Sequence, residues 1–128
     1  MVNESDQLIA HAVGDYILQS DWMANNKTAD NTAAALHAVT YSLPFMLFRP
    51  GWRAMAVITG THFLIDRFRL ARYVCWAKNW IAPKGEDHEL TGTGYPADRP
   101  AWLSTWLLII TDNILHVLIN RVALRGSK

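Results

Sequence analysis

The chain holds a single cysteine, Cys75, in 128 residues. That excludes an internal disulfide and suits a reducing compartment. It also excludes a thiolate zinc cluster, which needs several cysteines. Charge is scarce as well: Asp, Glu, Lys and Arg make up 18% of the residues and the net charge is +1. Without a global excess of positive charge no nucleic-acid partner is expected. Disorder is excluded by a hydrophobic content of 51%, well above what an unfolded polar chain carries. No glycine-rich phosphate loop of the Walker or dinucleotide type occurs. No segment alternates with period two, so no sheet is expected. The opening Met1–Asp6 carries Glu4 and Asp6 but no basic residue, unlike a secretory leader. The expected location is intracellular, cytoplasmic or associated with the inner membrane.

Long hydrophobic runs are missing too. The longest stretch free of Asp, Glu, Lys and Arg is Asn31–Phe48, 18 residues, whereas a spanning helix needs about 20. Ala54–Ile65 and Ala101–Thr111 are shorter. Arg53 and Arg67 flank both ends of the former, so charge gives it no orientation. Mean hydropathy is +0.03, which fits neither a typical small soluble domain nor a polytopic membrane protein. Both placements remain open at this level.

What is present reads as helix almost throughout, in one domain over residues 1–128. The expected architecture is an all-α bundle of four main helices. The first runs from about Ser5 to Gln19, followed by a short piece, Trp22–Lys27, capped by Ser20 and Asp21. The second covers Asn31–Phe48 and is kinked near Pro44. After the break at Pro50-Gly51, a third long helix is expected over Trp52–Trp80. The fourth opens near Pro100 and continues to about Leu124. Before it, residues 82–100 hold Pro83, Gly85, Gly92, Gly94, Pro96 and Pro100, a loop long enough to serve as a lid. His88 in that loop is expected to be solvated, with contact to a ligand as the alternative. Residues 49–84 carry seven basic groups against Asp66 alone, marking an anion-facing or membrane-facing segment. Cys75 is expected to pack inside a helix. The six tryptophans are expected in the core or at an interface rather than as base-stacking platforms.

The informative residues are polar groups inside apolar helices. His11 and Asp15 lie four apart, His62 and Asp66 repeat the spacing, and Asp112 and His116 show it reversed. Asp fills only 8 of 128 positions, so a given histidine has an Asp at that spacing by chance about one time in eight. Residues four apart share a helix face, so each pair can converge on one ion. His37 adds a fourth imidazole, and Gln19 extends the first stripe by one turn. Three separate hydrogen-bonded His–Asp pairs locking the core are the structural alternative. Burying three carboxylates and four imidazoles is costly unless something compensates their charge, and a divalent cation does so. Imidazole with carboxylate suits Zn²⁺, Mn²⁺ or Fe²⁺, with Zn or Mn favoured. Seven candidate ligands, His11, Asp15, His37, His62, Asp66, Asp112 and His116, exceed one tetrahedral ion. They suit two ions, or one ion with a surrounding set of orienting groups.

The segment His11-Ala12-Val13-Gly14-Asp15-Tyr16-Ile17-Leu18-Gln19-Ser20-Asp21-Trp22-Met23 resembles the opening motif of a bacterial and phage family, the domain of unknown function 3307 family. The pattern is His, three residues, Asp, an aromatic, Leu-Gln, Asp-Trp and a following Lys, here Lys27. His37, His62-Phe63-Leu64-Ile65-Asp66, and Asp112-Asn113 with His116 match its later elements. Gly94–Leu103 is similar to versions carried by phages. The family is distantly similar to membrane-bound metal-dependent hydrolases, so the resemblance implies metal-dependent hydrolysis, with these His and Asp residues as ligands. A phosphoester is the expected substrate, either an anionic small molecule or a lipid. Asp66 is the first choice of general base. Lys27, Arg67 and Arg99 are candidates for holding an anionic group. Membrane association and a homo-oligomer are further expectations. The competing expectation is a non-enzymatic membrane or phage accessory protein that works by binding a partner.

Overall fold

A computed structural model describes residues 2–81 and 89–127. His88 and its expected ligand contact lie outside the described residues. Helix α1 (Glu4–Ala12) starts where the Asn3 side chain accepts from the Ser5 N–H at 3.1 Å, with Glu4 and Asp6 in its first turn. It runs on into one wider π-type turn, Val13–Ile17, of the kind that gathers at functional sites. Ser20 caps α2 (Asp21–Asn26) and Asp30 caps α3 (Asn31–Ser42). Past Ser42 the chain tightens into a 3₁₀ turn, Leu43–Phe48, with Pro44 in its first turn. There the missing proline N–H costs nothing. Arg49 then adopts a left-handed backbone, φ 51°, ahead of α4 (Trp52–Arg67).

The long third helix does not form as one piece. It breaks after Arg67, and α5 (Ala71–Asn79) follows as a separate element. The Leu70 N–H reaches the Ile65 carbonyl at 2.9 Å, the Arg69 N–H reaches that of Asp66 at 3.3 Å, and Arg69 has φ 52°. This is a Schellman ending with arginine where glycine is usual. Arg69 Nη2 donates to the Gly92 carbonyl at 2.8 Å. The break lets α5 fold back so that Ala71 and Cys75 are buried, with Cys75 Sγ 3.5 Å from Thr111 Oγ1. Helix α6 (Ala101–Arg125) closes the chain.

Helix α4 lies between α3 and α6, α1 and α5 pack on α6, and α2 packs on α3. The described residues are helical and contain no strand, so the all-α bundle with four main helices (α1, α3, α4, α6) is what the protein adopts.

Its polarity runs opposite to that of an ordinary small domain. Six of the twelve buried apolar residues are alanines, and ten polar residues are buried beside them: Gln7, His11, Asp15, His37, Ser42, His62, Asp66, Ser104, His116 and Asn120. One modest apolar cluster, built on Tyr41, Phe45, Ile58 and Leu124, fills one end. The large apolar side chains face out instead. On α6, Trp102, Trp106, Ile110, Ile114, Leu118 and Val122 form a stripe at four-residue spacing, each at least half exposed. Leu36, Val39, Leu43 and Leu47 on α3 and its 3₁₀ extension are exposed as well. Five of the six tryptophans are exposed and none is buried, so of the two expected placements, core or interface, the core one is corrected. Such a surface far exceeds the scattered apolar exposure of a soluble monomer. Helix α6 is also long and apolar enough to cross a membrane, with only 17% of its apolar window buried.

Candidate metal centre

Four helical segments each deliver polar side chains to one point. The π-type turn brings Asp15 inward, and Gly14 allows its approach: a Cβ there would meet the backbone of Tyr41 on α3. Helix α3 supplies His37, α4 supplies His62 and Asp66, and α6 supplies Asp112 and His116. All but Asp112 are buried.

The donor atoms converge. His37 Nε2 and His62 Nε2 stand 2.9 Å apart. Asp15 Oδ1 is 3.3 Å from His37 Nε2 and 3.4 Å from His62 Nε2, and Asp66 Oδ2 is 3.2 and 3.3 Å from the same two atoms. A tetrahedral ion with bonds of about 2.0–2.1 Å has ligand–ligand edges of about 3.3–3.4 Å. The four imidazole–carboxylate separations lie within about 0.1 Å of that range; the imidazole pair is closer, and Asp15 and Asp66 fall in two adjoining ligand groups rather than one. Asp15 Oδ1 is buried without a well-aligned hydrogen-bond donor, an arrangement that costs free energy unless a cation faces it. Asp66 divides its carboxylate. Its Oδ1 lies 3.2 Å from His116 Nε2, which is 3.3 Å from Asp112 Oδ2. A second candidate group, His62, Asp66 and His116, therefore adjoins the first, Asp15, His37 and His62.

The electrostatics agree with a cation-shaped hole. Burial by itself would raise the Asp66 carboxyl, but hydrogen bonds from His116, His37 and His62 overcome that and hold it well below the usual carboxylate range. Asp15 is likewise pulled down, as His37 and the neighbouring imidazoles outweigh burial. Burial opposes protonation of His116, yet Asp112 and Asp66 push it up to about 9. Burial disfavours the Lys27 ammonium, but Asp66, 2.8 Å away, raises its pKa. Lys27 offsets one of the three carboxylates and the His116 imidazolium a second near neutral pH, so a divalent ion that displaces the His116 proton balances the set.

The other expected residues fall around this core. His11 gives no ligand to either group. Its Nε2 contacts Asn113 Oδ1 at 2.8 Å and lies 3.5 Å from Asp15, and its Nδ1 contacts the Tyr41 hydroxyl at 2.9 Å. Arg67 bonds the Asn31 side chain at 2.6 Å and the Thr28 carbonyl at 2.9 Å, steadying the turn that carries Lys27. Arg99 is exposed and lies 3.6 Å from Asp98. Neither arginine reaches the cluster.

Several residues went unassigned in the sequence. Tyr41 stacks on the His62 ring at 3.6 Å and 15° and receives a hydrogen bond from Asn120 Nδ2 at 2.5 Å. Gln7 Nε2 donates to the Val117 carbonyl at 2.7 Å. Each continues a helical register already in view: Gln7 precedes His11 by four, Tyr41 follows His37 by four, and Asn120 follows His116 by four. Arg69 carries no such signal. It reaches the site only through the helix break, where it lines a cavity of about 160 Å³ with Lys27, Asp66, Leu108, Ile109 and Asp112.

A family model described as "Protein of unknown function (DUF3307)" matches residues 5–123. No curated protein and no solved structure matches the chain.

Proposed function

The chain belongs to the DUF3307 family, and from the ligand geometry we propose that it is a metal-dependent hydrolase of phosphoesters, associated with a membrane through its apolar outer surface. The observation that carries this reading is that Asp15 Oδ1 and Asp66 Oδ2 each stand 3.2–3.4 Å from both His37 Nε2 and His62 Nε2, themselves 2.9 Å apart, in the bundle interior. The donor set is nitrogen and oxygen without thiolate, which suits Zn²⁺ or Mn²⁺. Such an ion, when bound, lowers the pKa of water and polarises a phosphoryl oxygen.

The chain's own residues have separate tasks. Asp66 has both oxygens engaged and serves as a ligand. Asp112 is the cluster carboxylate with the most solvent access, its side chain 27% exposed, and it faces the cavity beside Lys27. It is better placed than Asp66 to take a proton from the attacking water. Water oxygen adds to phosphorus, the ester P–O bond breaks, and that proton passes to the departing alkoxide. Lys27 has three N–H donors and uses one toward Asp66, leaving others for the phosphoryl oxygens.

Membrane association is supported by where charge sits on the outer faces. Between Arg99 and Arg121 the charged residue on α6 is Asp112, and between Arg53 and Arg67 on α4 it is Asp66. Both turn toward His116. The outer faces between the flanking arginines are therefore free of charge.

Elemental analysis of the purified protein and titration with Zn²⁺ and Mn²⁺ test the metal. Hydrolysis of 4-nitrophenyl phosphate tests the reaction. A bound first-row ion is expected, with affinity reduced at least about tenfold in Asp66→Asn. Absence of metal together with no thermal shift on adding either ion overturns the reading. So does a melting-temperature loss in Asp66→Asn that is the same with chelator and with added metal.

A further inference from the structure

We infer that the substrate is amphiphilic, a phosphoester whose ester oxygen bears a hydrocarbon chain, and that the cavity beside the cluster takes its head while α6 carries its chain. This rests on the phosphoester-hydrolase reading and narrows it. The lining of the cavity of about 160 Å³ holds two unlike sets of side chains. One is charged, with Asp66 and Asp112 at the cluster and Lys27 and Arg69 beside them. The other is apolar, built from Ile65, Ala71, Leu108 and Ile109.

A sugar or other hydroxyl-rich leaving group would set its polar atoms against that apolar wall without partners, which is unfavourable. A methylene chain meets the wall without loss. The volume holds about five waters' worth of space, enough for a phosphoryl group and the start of a chain but not for a whole lipid. The rest of the chain must leave along a surface. Ile109 is 36% exposed, and Trp106, one turn back on the same face, is 60% exposed. Ile109 thus belongs both to the cavity lining and to the exposed surface of α6 beside Trp106. A soluble phosphoester offers the same phosphoryl group but has no use for this surface.

The test uses the full chain, zinc-loaded, in a detergent that keeps it monodisperse. Binding of ethyl phosphate and hexyl phosphate, both water-soluble, is followed by tryptophan fluorescence, and hydrolysis of both is measured in the same samples. Each methylene taken from water strengthens binding about fourfold, so hexyl phosphate is expected to bind at least about tenfold more tightly even if only two or three methylenes are covered. Ile109→Asn should bring that ratio close to one, whereas Ile110→Asn, outside the cavity, should keep it. Lys27→Gln should weaken both ligands. Equal affinity for the two esters overturns the inference. Equal loss of the ratio in the Ile109 and Ile110 variants does so as well, since it assigns the chain effect to the general surface. Equal kcat/KM for the two esters overturns it while leaving the hydrolase reading in place. Chain-selective binding without hydrolysis supports the amphiphile site and removes the hydrolase reading.

Discussion

Replacing Gly14 by alanine separates the stability of the fold from the integrity of the metal centre. A Cβ at this position would stand 2.7 Å from both the Tyr41 carbonyl oxygen and Tyr41 Cδ2, and 3.1 Å from Tyr41 Cα. The ring has little room to yield, because it stacks on His62 at 3.6 Å and its hydroxyl is held by His11 and Asn120. The carbonyl belongs to the α3 backbone. Comfortable contact begins near 3.5 Å, so the π-type turn must retreat by about 0.8 Å. Overpacking of this kind costs about 1–3 kcal/mol, and alanine's better helix propensity offsets about 1 kcal/mol of it. The metal-free variant should therefore lose no more than about 2 kcal/mol. The ligand set is less forgiving. Asp15 is the next residue, and metal–ligand distances tolerate only about 0.2 Å. Zinc affinity is expected to fall at least about tenfold. Thermal denaturation of the metal-free protein reads the first quantity, and zinc competition with a chromogenic chelator reads the second. Gly60→Ala on α4 is the control, because a Cβ there meets nothing within 4 Å, and it should stabilise by about 1 kcal/mol. A Gly14→Ala protein with wild-type zinc affinity would refute the placement of Asp15 as a ligand.

Two further perturbations probe the surroundings of the centre. Tyr41→Phe keeps the ring on His62 but removes the hydroxyl shared by His11 and Asn120. It should cost about 1–3 kcal/mol in urea denaturation of the metal-free protein, and a loss near zero would show that these buried groups find other partners. The pH dependence follows from His116, held at about 9 by Asp112 and Asp66 against an ordinary value of 6.5. In the metal-free protein its proton contributes stability that is full below 6.5 and disappears as pH climbs through about 9. If His116 binds metal, the ion must displace that proton, so affinity should rise with pH across this window by up to about tenfold per unit. Calorimetry in buffers of different ionisation enthalpy should find a proton released per ion near neutral pH. A pH-independent affinity would remove His116 from the ligand set.

The helical character and most of the centre were legible along the chain because a helix converts spacing into direction. His62 with Asp66 and Asp112 with His116 share a face wherever their helices lie, and those pairs are in contact. The same rule, carried one step further, would have named Tyr41 and Asn120. The break after Arg67 was not legible, because the usual glycine or proline is missing: Arg69 takes the left-handed position itself. That conformation is unfavourable for arginine by about 1–2 kcal/mol and persists because burial of α5 and the bond to Gly92 support it. The role of Lys27 at the cluster was also decided by distant chain, since Asp66 lies on another helix and Arg67 steadies the turn that carries Lys27.

By itself, then, the sequence determined four mainly apolar helices, each with its polar residues in register, because local spacing sets the face on which a side chain stands. It could not determine where those faces point. Counted along the chain, Asp15, Asp66 and Asp112 interrupt every candidate apolar run except Asn31–Phe48, and each run looks too short for a lipid environment. Only the tertiary structure turns those faces inward, where Asp15 meets His37 and Asp66 meets His116 on other helices, leaving outer faces of Trp, Ile, Leu and Val. The physical reason is that a linear count weighs a charge the same whether it meets solvent, lipid or a ligand set. In the folded bundle, Asp15, Asp66 and Asp112 meet the histidines, Lys27 and one another's fields, and the cost of burying them is balanced inside the protein rather than at its surface.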